Sequence, residues 1–183
     1  TLTEQNAFVK RLPDGKVYRF HHMMKECAKR TFHTLPPEKQ VAYRSRFGIW
    51  YEEHRQYLHA MAAYRQGKNY DALLRIVEQD AGILLSSLPP KAVLEAIEEC
   101  PVPILKEHPL AILVLMRSMF NWRLIPEMMQ MKELLLTAIA EHPNLPEQER
   151  GNLLGECDLI LSFLMYNDIS AMSRLHRSAS KQM

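Results

Sequence analysis

The chain has 183 residues, 47% of them hydrophobic and 24% charged, with a formal net charge of +2. That length and apolar content can bury the core of one moderate domain or two small ones, which excludes a disordered tail. The near-neutral balance excludes an overall field drawing the chain to nucleic acid or an anionic membrane, so any such contact has to be local.

The first residue is Thr1, without a basic-then-apolar leader, and both ends read as cut from something longer. The longest apolar stretch, Pro109 to Met116, is far short of the ~20 residues a bilayer span requires. Cys27, Cys100 and Cys157 lie far apart without CxxC spacing, which argues for reduced thiols rather than a disulfide framework or a zinc ribbon. A soluble, cytoplasmic protein with no membrane partner is expected.

The one β signal lies at Phe8 to Phe20. Two short alternating runs flank Pro13-Asp14-Gly15, where proline presets φ, aspartate suits the next position and glycine can close a three-residue hairpin loop. A lone hairpin is marginal in water, so it is expected to pack on the helix that follows. From there the text is helical. Prolines fall at starts and ends, where a missing N–H and a fixed φ are tolerated. The spacing predicts helices at 22–33, 37–54, 56–66, 70–86, 90–100, 108–122, 126–141, 147–166 and 169–182.

Phe47, Trp50, Tyr51 and His54 share one face of the second helix, and Leu73, Leu74, Val77, Ala81 and Leu84 recur at helical intervals in the fourth. Trp50, Tyr51, Tyr57 and Tyr64 are read as packing residues. The helix opening at Pro109 is apolar all round, so it should be central. Short connections imply antiparallel neighbours that stack into a superhelix. The stretches 108–140 and 145–180 have about the ~34-residue length of a tetratricopeptide pair but lack its consensus Trp, Gly and Tyr.

No glycine-rich phosphate loop, HExxH or GxSxG is present, so this segment is not expected to be an enzyme. Glu52-Glu53 and Glu98-Glu99 are adjacent on helices, do not face each other, and read as solvated faces. The eleven methionines read as core filler rather than an adaptable surface. His21 stands at the strand-to-helix junction, as a buried or capping histidine or as one presenting a ring nitrogen to an anion. It lacks further histidines at the paired spacing a metal site requires. Lys10, Arg11, Lys16 and Arg19 cluster on the hairpin, and a hairpin beside a helix is what a winged-helix domain presents to DNA, so DNA or phosphate contact is a candidate role.

From Val17 to Glu78 the order of features resembles the MalT-type regulators of the LuxR group, ATP-dependent transcription activators of the STAND class. The resemblance is carried by Lys16-Val17-Tyr18-Arg19-Phe20-His21-His22, by Leu35-Pro36-Pro37-Glu38, and by Trp50 to His54 followed by Ala60, Tyr64, Gly67 and Ala72. In that family a P-loop ATPase precedes a winged helix, helical pairs, a tetratricopeptide-like sensor superhelix and a DNA-binding helix-turn-helix. The resemblance implies that His21 matches a histidine that touches the bound nucleotide's phosphate. Here His22 replaces the usual Asp or Pro, and Met23 the usual Leu.

The fold class expected is therefore mainly all-α, antiparallel helix pairs stacked as a tetratricopeptide-like superhelix, with one short N-terminal β-hairpin. Residues 1–35 would end a winged-helix domain, 36–103 form helical linker or arm pairs, and 104–183 begin the sensor superhelix. The function implied is a non-catalytic regulatory segment coupling an ATPase switch to a signal-sensing superhelix, with a free-standing helical-repeat adaptor as the alternative. The segment itself would hold no cofactor, ATP or ADP being bound by the parent protein. Its partners would be the intramolecular ATPase domain, an inducer small molecule or regulatory protein on the superhelix, and further copies of itself. DNA would be met only through a domain elsewhere in the parent.

Overall fold

Two short strands open the fold, β1 (Val9–Arg11) and β2 (Tyr18–Phe20), paired antiparallel with Val9 opposite Phe20 and Lys10 opposite Arg19. The structure, a computed structural model, describes residues 9–11 and 18–183, with side chains from Phe20 onward. The expected Pro13-Asp14-Gly15 turn lies outside the described residues.

Ten helices follow: α1 (His22–Thr34), α2 (Pro37–Glu53), α3 (Tyr57–Gln66), α4 (Tyr70–Gln79), α5 (Pro90–Glu99), α6 (Val102–Lys106), α7 (Pro109–Asn121), α8 (Ile125–Glu141), α9 (Glu147–Ser162) and α10 (Ile169–Gln182). None among the described residues is long and apolar enough to cross a membrane. Their starts follow local chemistry. Proline occupies the first position of α2, α5 and α7, where its absent N–H has no intrahelical partner to lose. Asn69 and Asp168 accept hydrogen bonds from Ala72 N and Ala171 N, at 3.2 and 2.9 Å, capping α4 and α10.

Three junctions close in the same way. Arg55, Lys68 and Arg123 each take a left-handed conformation, with φ of 57°, 52° and 60°. In each junction the next residue donates its N–H back five residues, from Gln56 to Tyr51 O, from Asn69 to Tyr64 O and from Leu124 to Met119 O. The orphan carbonyls of the ending helix are thereby satisfied within three-residue turns.

Three stretches differ from those predicted, one of them the helix expected at 147–166, which ends at Ser162 and gives way to a 3-10 turn, Phe163–Met165. The expected helix 70–86 stops at Gln79, because Ala81 (φ 51°) and Gly82 (φ 87°) turn left-handed and Asp80 accepts from Leu84 N at 2.5 Å. A 3-10 turn, Leu84–Ser87, completes the span, and Ala81 is exposed rather than part of the apolar stripe. Gly82 also lies against Val114 Cγ1, where a β-carbon would sit at 2.8 Å. Conversely, the stretch read as a proline-broken linker holds α6, since Pro103 at its second position costs no intrahelical hydrogen bond.

Consecutive helices pack in pairs, α2 on α3, α7 on α8 and α9 on α10, and α7 also meets α4 and α9. As its composition requires, α7 is central: Ile112 and Met116 are fully buried, and Leu113 is 1% exposed. One core runs from Ala60 to Ile160 and passes without a break across the expected boundary at 103/104. Met61, Met116, Met119, Met128 and Met131 fill it, whereas Met23, Met24 and Met165 are exposed. Where α2 crosses α3, Gly48 leaves room for the Tyr64 ring, which a β-carbon at that position would overlap. Tyr64 is fully buried there, while Phe47 and Trp50 on α2 lie about half exposed instead of packing as predicted.

Candidate functional site

Among the described residues α5 lies along no other helix in an extended backbone packing, although packed helices ordinarily run 8–10 Å apart. It reaches the rest of the fold through side chains, and beneath it opens a cavity of about 760 Å³. The floor is Leu73, Leu74 and Val77 of α4 with Leu105 and Leu115; the α3 wall is Leu58, Met61 and Ala62, and the α5 wall is Val93, Ala96 and Ile97. Pro89-Pro90 and Pro101 bracket α5 and set both its ends.

One end of the cavity is polar. Arg65 on α3 donates from Nε and Nη2 to the two carboxylate oxygens of Glu99 at 2.8 Å each, and from Nη1 to Ala92 O at 3.4 Å. Glu95 approaches the same guanidinium at 3.6 Å. A bidentate pair of this kind is geometrically specific; here it fastens α3 to the end of α5, and the bond to Ala92 O reaches the first turn. The Arg65 hydrogen bond holds the Glu99 carboxyl below its ordinary range, and Glu99 in turn raises the Arg65 guanidinium. Tyr70 and Cys100 stand beside them, each 7% exposed. Burial pushes both groups up, with Glu99 adding to the effect on Tyr70.

The residues singled out from the sequence lie elsewhere. His21 caps α1, its Nδ1 accepting from Met23 N at 3.3 Å, and it does not line the cavity. Lys10 and Arg19 are register partners, Arg11 pairs with Tyr18, and Lys16 lies outside the described residues. Glu53, Glu98 and Glu99 are exposed, as the solvated-face reading expects, but one glutamate of each pair also holds a tertiary contact. Glu99 forms the Arg65 latch, and Glu52 accepts from Tyr64 Oη at 2.7 Å with Arg75 at 3.6 Å. Burial, then this hydrogen bond, drives the Tyr64 hydroxyl well above its ordinary range.

The cavity residues were missed because Arg65 and Glu99 are 34 positions apart and neither stands in a motif. Pro89-Pro90 and Pro101 were the one local sign, marking where this helix begins and ends. No family model matches the chain, and neither a curated protein nor a solved structure does.

Proposed function

We propose that the chain is a non-catalytic regulatory and interaction segment of a MalT-like transcription regulator, coupling an ATPase switch in the parent protein to a helical sensor. The observation that carries this reading is the cavity beneath α5, a ligand-sized apolar space inside a helical scaffold whose cover is fastened by one polar latch. Such a cover gives a ligand something to bias, which is what a switch between two states requires. In this reading residues 1–35 report nucleotide state, 36–103 act as the arm, and 104–183 begin a tetratricopeptide-like superhelix. His21, at the start of α1, is the candidate phosphate contact.

The experiment is ADP retention by the intact parent protein. His21→Ala is expected to lower ADP affinity; unchanged retention removes His21 from the switch, and a reading frame without an upstream P-loop removes the ATPase coupling. A free-standing adaptor is the second reading, favoured by the half-exposed Phe47 and Trp50 on α2, which offer a partner an aromatic face. A reading frame that starts near Thr1 favours the adaptor.

A further inference from the structure

We propose that the cavity beneath α5 binds an uncharged, largely apolar small molecule carrying one hydrogen-bond acceptor, with α5 as its cover. This deepens the sensing role proposed above, but it rests on the cavity alone and not on the parent protein's architecture.

Size and lining come first. At about 760 Å³ the cavity falls within the roughly 300–1,000 Å³ of ordinary ligand pockets. Met61, Leu74, Val77, Val93, Ile97 and Leu115 contribute apolar surface from α3, α4, α5 and α7. Leu58, Ala62 and Ile97 keep part of their apolar surface open, and a molecule seated against them gains those contacts.

Charge then selects against an ionic head. Arg65 is committed to Glu99 through two hydrogen bonds of 2.8 Å, and Glu95 lies 3.6 Å away. Lys68, also in the lining, acts on Glu99 as a second cation. Of these charges Arg65, Lys68 and Glu99 line the cavity, while Glu95 lies outside the lining and is also met by Lys91 at 4.0 Å. An anionic ligand would have to displace Glu99 from Arg65, and a cationic one would have to compete with Arg65 for it.

The acceptor preference comes from Tyr70. The residue is 7% exposed and lines the cavity, yet its hydroxyl makes no hydrogen bond with any described residue. It is also not among the sealed, unpaired polar atoms of the interior, so it keeps an accessible edge. A tyrosine phenol is protonated near neutral pH, so with no partner among the described residues it is free to donate to an acceptor. The Cys100 thiol beside it is turned to Pro101 O at 3.8 Å. A partner helix is a poorer fit, because a helix about 10–12 Å across would have to lift α5 and break the Arg65 latch.

The test uses the full chain and prodan, a neutral naphthalene ketone whose emission reports its surroundings. One saturable site with emission shifted to shorter wavelength is expected. Ala96→Trp, which fills the cavity from α5, is expected to weaken binding about tenfold or more. Ala62→Trp does the same from the α3 wall at an exposed position that tolerates the change, so the test survives if the first variant misfolds. Tyr70→Phe is expected to weaken prodan about fivefold, the value of one ordinary hydrogen bond. Binding of N-phenyl-1-naphthylamine, which lacks the carbonyl, should stay within about twofold.

Absence of saturable prodan binding by the folded chain would overturn the proposal. So would unchanged binding in both tryptophan variants, tighter binding of the anionic anilinonaphthalene sulfonate than of prodan, or loss of prodan binding in Trp50→Ser, which would move the site to the exposed α2 face. ADP retention by the parent protein does not depend on any of these outcomes, so failure of the ligand site and failure of the regulator reading are told apart.

Discussion

Helices α1 and α7 are each thirteen residues long, yet α7 buries nine of them and α1 buries none. The difference lies in what their sequences offer to neighbours. Helix α7 presents aliphatic and methionine side chains around its whole circumference and is met by α4, α6, α8 and α9. Helix α1 alternates charge with Met23, Met24 and Phe32, and touches α2 mainly at its far end. There Phe32 meets Tyr43 edge-on at 6.5 Å, and Arg44 lies 5.2 Å over the Phe32 ring. Equal helical length therefore carries very unequal shares of the folding free energy. In most protein helices stability comes from the packed face rather than from propensity.

The sharpest way to break this comparison is to truncate one residue in each helix. Leu113→Ala in α7 is expected to cost about 2–5 kcal/mol in urea unfolding, the range for an aliphatic side chain removed from a core that cannot collapse around the gap. Met24→Ala in α1 is expected to stay within about 0.5 kcal/mol, as exposed substitutions usually do. Equal losses would mean that α1 belongs to the cooperative core after all.

Gly48→Ala probes the join between the arm and that core. Alanine is the better helix former by about 1 kcal/mol, but its methyl would overlap the buried Tyr64 ring, so a net loss of about 1–3 kcal/mol is expected. A double-mutant cycle with Tyr64→Leu should show a coupling of at least about 0.5 kcal/mol; additive losses would mean that the two residues do not meet. A small effect of the opposite sign is expected in the α3–α4 turn. Lys68→Gly relieves a left-handed backbone at φ 52° and should stabilise by about 0.5 kcal/mol, less than the strain itself because glycine gains entropy when unfolded. A shift of the thermal midpoint in the opposite direction would contradict that geometry.

Much of the helical framework was legible along the chain, because proline positions, caps and apolar periodicity act within a few residues of where they stand. Helices α2, α3, α8 and α10 lie within a residue of their predicted bounds. Some of the failures have local explanations as well. Gly67 ends α3, but the left-handed residue of that turn is Lys68, which no local signal marks. The stripe continued through Ala81 on spacing alone, whereas Asp80 and Gly82 divert the backbone there. Trp50 and Phe47 looked like packing residues because they share a helical face, but periodicity says only that a face exists, and α3 takes the other side of α2 at Gly48.

The candidate site was hardly legible. Glu99 read as one of two adjacent surface carboxylates, Cys100 as an ordinary thiol, and Tyr70 went unremarked. What the sequence by itself determined was the helical class, most boundaries and the central place of α7, since backbone preference and side-chain apolarity are properties of near neighbours. Only the tertiary structure decided that α5 stands off its neighbours, that Arg65 closes on a carboxylate 34 positions away, and that Tyr70 comes to line the space between. Those meetings depend on the path of the chain through several turns, where small differences in each junction accumulate into which side chains face each other and which leave a gap.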